Sequence, residues 1–498
     1  MSLRLSPGKI AKDLFVIDPD RDERASQIYA ETLLLLAAND YTKPDNPNNL
    51  RSPKLRRFGL RSLALGRNFL ENVDNAPIGN GTHGASSYGH YLSLGKDFQG
   101  SENLALARDA IAGLIDPQTA RGQPGTWLLY PFHENFLWYD ARLSAGRPWS
   151  VRKVYMRGSG ITVARLLLDG PTESVRAKGS SAVGALKKAL KDDTPLAGIA
   201  DRIERPLSGI ADEGAVQDDE RDAWDVGADT RLSALGEAIA GHADDVMNQA
   251  ATGNVAKLWA VRNIVALDLA VHALRVAWEA TGTPQEDRYL LLCFGGPQRS
   301  ANMVRQQSEL SYQRARMKIR EATIRTLRDK MSELSRDPET DWEDEFERRS
   351  GLEDLVPKLR QTSGPAEFEA IARTVFERAN YDRAGEGVRV LLESIGLLHG
   401  TGAFRYFSAT PELLAAMVGA LSSRMPLSSR DFFSALYKEW NVVVSPEAGQ
   451  KTSLLSTLDG SELARNARRA EALLVDAGVG IALSDSTTMI GERVRRPE

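Results

Sequence analysis

The longest apolar stretch in the chain, VAKLWAVRNIVALDLAVHALRVAW from Val255 to Trp278, is rich in alanine and leucine and poor in glycine, a pattern that predicts a buried helix rather than a strand. Lys257, Arg262, Asp268, His272 and Arg275 interrupt it too often for a membrane span. Asp268, His272 and Arg275 follow one another at i, i+4 and i+7 and so share one helix face. That stripe reads either as a ligand-binding or catalytic row or as polar groups satisfied inside a core helix.

A second long pattern begins just after YLLLCF. From Asn302 to Leu334 there is neither proline nor glycine, and Met303, Leu310, Met317, Ile324 and Met331 recur every seven residues, joined by Leu327 and Leu334. This predicts one helix of roughly 50 Å. Between Arg299 and Lys330 nine cationic side chains stand against three anionic ones, an excess of six that includes Arg299, Arg314, Arg316, Lys318 and Arg320. If that whole excess neutralised phosphates, binding would fall with salt at a log–log slope of about −5. The segment behind it, ELSRDPETDWEDEFE, is as acidic as the helix is basic. Pro338 would end the helix, and the acids would fold back on the cationic faces. Three readings stay open: a self-paired packing helix, a helix for a partner protein, and a nucleic-acid contact. The preceding FGGPQRS turn offers backbone amides to a phosphate but lacks the Gly-Lys-Ser/Thr of a nucleotide loop.

The N-terminal part is less regular. ASQIYAETLLLLAAN predicts a helix, RSPKLRRFGLRSLALGRNFLENV is basic, and GNGTHGASSYGHYLSLG is rich in glycine and serine. TWLLYPF, VRKVYM and ITVARLLLDG are short apolar runs compatible with strands, the last equally with a helix start. DEGAVQDDERDAWDVGAD is acidic and poor in apolar residues, as in a solvated linker. The expected division is a mixed domain over 1–150, a small α/β segment over 151–210, an acidic linker over 211–230, a helical domain over 231–400 and a separate unit over 401–498.

That last unit has a legible order. ATPELLAAMVGALSS opens on a threonine cap with proline at the first helical position, and LSSRDFFSALYKEW on serine caps. NVVVS is a short strand candidate, DGSELARNARRAEALLVDAG a capped helix ended by Gly478, and VGIALSDSTTMIGERV two strands about a turn. Helix, helix, strand, helix, strand, wing and strand is the order of a winged helix, whose third helix enters the major groove. Here that helix carries Arg465, Asn466, Arg468 and Arg469, diluted by Glu462, Glu471 and Asp476. Winged helices also bind proteins, so the order alone does not choose. The fold class expected is mainly α with small β elements (α+β), multi-domain, with a C-terminal winged-helix-like domain.

Composition narrows the chemistry. The chain has 498 residues, 42% hydrophobic and 26% charged, enough for several cores. A net charge of −4 excludes a chain that coats polyanions over its whole surface, so nucleic-acid contact must be local. The single cysteine, Cys293, excludes an intrachain disulfide and multi-cysteine metal sites, suits a reducing compartment, and sits in an apolar run as a buried thiol would. With no signal-peptide core at the N-terminus and no apolar span, the expected location is the cytoplasm, without membrane contact. Catalytic patterns are thin: His83, His90 and His133, with Glu134 and Asp140, make a general base or metal pair conceivable, but there is no zincin spacing or nucleophile elbow. The aromatic residues Trp127, Phe132, Phe136 and Trp138 around His133 read as core. No cofactor or metal is expected.

The succession RYLLLCFGGPQRSANMVRQQSELSYQRAR, FRYFSATPELLAAMVGAL and ARNARRAEALLVDAGVGIALSDSTTMI resembles uncharacterised proteins of bacterial anti-phage defence islands. Those are encoded beside HerA/FtsK-type ATPases in methylation-associated or phosphorothioate-dependent systems, and the similarity covers about the C-terminal half. It carries over no catalytic motif. It implies a non-catalytic DNA-binding or adaptor subunit acting with an ATPase or nuclease partner. The alternatives are a hydrolase or nuclease-like enzyme with its site in the N-terminal domain, and a scaffold that binds only proteins.

Overall fold

The computed structural model describes residues 5–17, 23–38, 55–57, 133–134, 137, 139–142, 150–151, 159–191, 230–250, 252–295, 303–334, 352–362, 364–378, 381–422, 425–484 and 487–491. These are mostly helical with short strands, the mainly α composition expected. The chain divides into two compact units, one of residues 24–247 and 253–262, the other of 1–23, 248–252 and 263–498. That division differs from the five segments read from composition, because residues far apart in sequence share a core.

The unit of residues 24–247 and 253–262 contains α2 (Ala25–Ala38), a sheet of β1 (Leu55–Arg57), β2 (Tyr139–Arg142) and β3 (Ser150–Val151), then α3 (Ser159–Leu168), α4 (Glu173–Leu190) and α5 (Ser233–Met247). The ITVARLLL run is thus helical, lying within α3. Thr172 caps α4 by accepting from the Val175 amide, while the first turn of α3 is satisfied from α2, where the buried Glu31 carboxylate accepts from Gly160 N–H at 3.0 Å. Small residues let these helices cross closely: a Cβ at Gly179 would stand 2.2 Å from the Leu167 carbonyl oxygen. Leu166, Val175, Leu186, Ile239 and Val246 fill the core.

The other unit begins with α1 (Pro7–Phe15), capped by Ser6, and takes in most of α6 (Asn254–Ala280). Then come β4 (Leu290–Leu291), α7 (Met303–Leu334), α8 (Val356–Gln361), α9 (Pro365–Arg378), α10 (Arg383–Ser394), and the hairpin of β5 (Leu398–His399) and β6 (Tyr406–Phe407). The C-terminal elements are α11 (Pro411–Leu421), β7 (Leu427–Ser428), α12 (Ser429–Trp440), β8 (Val442–Val443), α13 (Pro446–Gly449), α14 (Gly460–Asp476), β9 (Gly480–Ser484) and β10 (Thr487–Ile490). β7, β10 and β9 form one antiparallel sheet in that spatial order. β8, the NVVVS strand, is not in it; it pairs in parallel with β4, 150 residues earlier in the chain. This pairing is why the C-terminal elements are not a free-standing module.

The polar stripe of α6 is structural. Asp268 accepts from Trp440 Nε1 at 2.7 Å, His272 Nε2 meets the Phe15 carbonyl oxygen at 2.9 Å, and Arg275 Nε donates to Asn441 Oδ1 at 3.0 Å. Asn441 ends α12 in the left-handed conformation, which asparagine tolerates, and donates from Nδ2 to the Arg288 carbonyl. The polar side chains of the stripe are thus matched to the end of α12, by Asp268 and Arg275, and to α1, by His272, the arrangement a packed core requires.

The seam of α7 is half as expected. Ile324, Leu327 and Met331 are buried, in one core with Leu5, Ile10, Leu359, Phe368 and Phe376, but Met303, Leu310 and Met317 face outward. At the N-terminal end the buried positions are Val304, Ser308, Ser311, Tyr312, Ala315 and Ile319. A straight helix turns 3.6 residues per turn, so a strict seven-residue row drifts about 20° per heptad. Over four heptads the row passes from the exposed side to the buried one.

Candidate nucleic-acid interface

α14 starts at Asp459, whose side chain accepts from Ser461 N–H at 2.7 Å, and this bond holds the Asp459 carboxyl below the usual carboxylate range. Leu463, Asn466, Ala467, Ala470 and Leu474 form its buried stripe at helical spacing. The opposite face carries Arg465, Arg468 and Arg469, all exposed. Arg465 is paired to Glu462 at 2.9 Å, one turn earlier. Arg468 and Arg469 have no ion-pair partner among the described residues.

Asn466 does not belong with the arginines, which corrects its expected place on the outward face. It is 3% exposed and its amide is saturated inside the protein. Oδ1 accepts from Phe294 N–H at 2.8 Å, and Nδ2 donates to the carbonyls of Leu292 and Val444 at 2.9 and 3.2 Å. One side chain thus stitches α14 to the segments following both β4 and β8. The signal was present in the sequence: Asn466 lies three residues after Leu463 and four before Ala470, on the apolar row.

Among the described residues the neighbouring surfaces add little positive charge. The described residues of the β9–β10 hairpin, 480–484 and 487–491, include no cation. Leu483 sits at a bulge, where the register with β10 shifts, and is exposed. Arg430, at the start of α12, is open to solvent and only loosely paired with Glu447 at 3.9 Å.

α7 uses its cations internally. Arg316 bridges Asp382 and Glu386 of the α10 end at 2.8 and 2.7 Å, Lys318 pairs with Glu321 at 2.9 Å, and Arg320 pairs with Glu377 of α9 at 2.8 Å. Arg314 donates to the Tyr289 hydroxyl at 3.1 Å. Arg325 meets Glu321, Arg328 meets Glu369, and Lys330 lies near Asp13 and Glu333. The network continues from Glu386 through Arg389 and Glu393 to Arg405. The cations of α7 are therefore largely engaged within the protein, and the slope of −5 drawn from the six-charge excess between Arg299 and Lys330 does not carry over. The partners lie on α1, α9 and α10 as well as on α7 itself; the acidic segment after 334 lies outside the described residues. Tyr312, buried in the same region with its ring edge against Phe407, has its hydroxyl pushed up by burial, countered in part by Arg316 and Arg405.

His83, His90 and Arg299 lie outside the described residues, as do Trp127, Phe132, Phe136 and Trp138. His133 is buried and Glu134 half-buried. Among the described residues no group of three or more His, Cys, Asp or Glu is placed to hold a metal, and no helix is long and apolar enough to cross a membrane. Cys293 is buried at 1% exposure. Comparison with protein families, with curated proteins and with solved structures finds no match for this chain.

Proposed function

We propose that the chain is a non-catalytic, DNA-contacting adaptor subunit whose residues 411–490 form a winged helix, with α14 as the helix that enters the groove. Supporting the winged-helix part are the order α11, β7, α12, α14, β9, β10 and the sheet order β7–β10–β9. The departure from a minimal winged helix is residues 441–459, which insert β8 and α13 between the second and third helices. The observation that carries the DNA contact is the outward face of α14, where Arg468 and Arg469 stand exposed beside Arg465 with no ion-pair partner among the described residues, on a helix whose back is fixed by Asn466. A rigidly seated helix with free guanidiniums is what phosphate contact and guanine readout need.

The wider setting proposed, from the resemblance to defence-island proteins, is a complex in which an ATPase or nuclease partner performs the chemistry. The test is fluorescence anisotropy of the full chain with a labelled duplex at several salt concentrations. Two phosphate contacts, from Arg468 and Arg469, give a slope of about −2. Arg468→Ala with Arg469→Ala should weaken binding at least tenfold and flatten that slope by about two. Unchanged affinity and slope would remove α14 from the interface.

A further inference from the structure

The outward half of the α7 seam is unexplained by the reading above. Met303, Leu310 and Met317 are 47, 42 and 67% exposed, and they make up half of the six large hydrophobic side chains exposed among the described residues. Seven-residue spacing sets them on a nearly straight line about 21 Å long. On the same face Gln313 Nε2 donates to the Ala403 carbonyl at 3.1 Å, which holds against α7 the short turn that carries the exposed Phe404.

We propose that this line is the contact between two copies of the chain, paired antiparallel about a two-fold axis at Leu310. The row reads the same in both directions: methionine, six residues, leucine, six residues, methionine. Antiparallel pairing centred on Leu310 therefore sets Leu310 on its own symmetry mate and Met303 on Met317 of the partner subunit, the isologous geometry of a two-fold dimer. The flanks match as well. Arg314 comes opposite Gln306 of the partner subunit and Gln307 opposite Gln313 of the partner subunit, so no like charges meet. The cations beside the row, Arg316, Lys318 and Arg320, are already neutralised within their own copy. An acidic partner would thus find only Arg314, held by the Tyr289 hydroxyl, without a carboxylate among the described residues, whereas an uncharged, self-complementary row suits itself. Two methionines give side chains that repack easily across the axis. A contact of this length is at the small end of specific interfaces, so the pairing is expected to depend on concentration.

The experiment is sedimentation velocity of the full chain over a concentration series, with Leu310→Glu as the disrupting variant at an exposed position. The expected result is a concentration-dependent dimer, with dissociation at least tenfold easier in Leu310→Glu. Cross-linking with a short thiol reagent then reads the register, since Cys293 is buried. Leu310→Cys should link to itself. Met303→Cys should not, but a mixture of Met303→Cys and Met317→Cys chains should link. A monomer at every concentration, a dimer indifferent to Leu310→Glu, or Met303→Cys linking to itself as well as Leu310→Cys does would overturn the proposal.

Discussion

α7 and α14 both carry rows of arginine in the same unit, α7 with a net positive charge and α14 with three arginines against three acids, and they dispose of their cations in opposite ways. α7 has the larger excess, yet most of its arginines and lysines end on carboxylates of α7, α9, α10 or α1. α14 has fewer, and two of its three outward arginines end in solvent. The difference teaches that a count of charge along a helix says little about binding until the facing elements are known. Partially buried ion pairs fasten a helix to its neighbours, and only unmatched guanidiniums can trade counterions with a polyanion.

The largest expected effect breaks the platform under α14. Asn466→Ala removes the partners of one half-buried amide and two buried carbonyls, and each orphaned buried group costs about 1–3 kcal/mol. Denaturant unfolding should report a loss of at least about 3 kcal/mol. A loss below about 0.5 kcal/mol would mean that the amide is not the clamp described. A smaller effect separates the two helices directly. Arg316→Ala breaks two contacts to the α10 end, and because that side chain is 40% exposed, solvent screening limits the loss to about 1 kcal/mol. Arg468→Ala should change stability by less than about 0.5 kcal/mol. Equal destabilisation by the two would erase the distinction drawn between them.

The smallest effect is on acid stability. Partial desolvation alone would raise the Glu321 carboxyl, but the hydrogen bond and charge of Lys318 and the charge of Arg325 outweigh it and hold the group below its ordinary value. The Arg373 hydrogen bond does the same for Glu369, with Arg328 contributing. A carboxyl depressed in the folded state stabilises the fold at pH values above its unfolded pKa of about 4.3, and this contribution fades as pH falls through the lower folded value. Glu321→Gln should therefore flatten the decline in melting temperature below about pH 4.5 and matter little to its slope near pH 7. A decline unchanged in the variant would show that the α7 pairs do not contribute to it.

Much of this architecture was legible in the sequence where its causes are local. Thr410 and Ser428 cap α11 and α12, Gly478 takes a positive φ just past α14, and β9 and β10 fall where the sequence pattern places two short strands about a turn. The long helices α6 and α7 announce themselves by length and by the absence of proline and glycine. What stayed hidden depends on distant partners. β7 is two residues long and pairs with β10, some sixty residues later, and β8 pairs with the distant β4 and not with its neighbours in sequence. The α7 arginines looked free because Asp382, Glu386 and Glu377 stand more than fifty residues downstream. Asn466 was misread for a different reason: its type suggested base recognition, while its position on the buried row already pointed inward. The seven-residue row of α7 was real in spacing, and only the 3.6-residue turn decided which half of it faced the core.

The most direct measurement of the central claim sets the two helices side by side. Full-length chains carrying Arg465, Arg468 and Arg469→Ala, or Arg316, Lys318 and Arg320→Ala, are titrated against the same duplex across a salt series. The account predicts that the α14 triple variant loses most of its affinity and nearly all of its salt slope, while the α7 triple variant keeps both, provided it remains folded by circular dichroism. Loss of affinity and slope in a folded α7 variant, with the α14 variant unaffected, would contradict it.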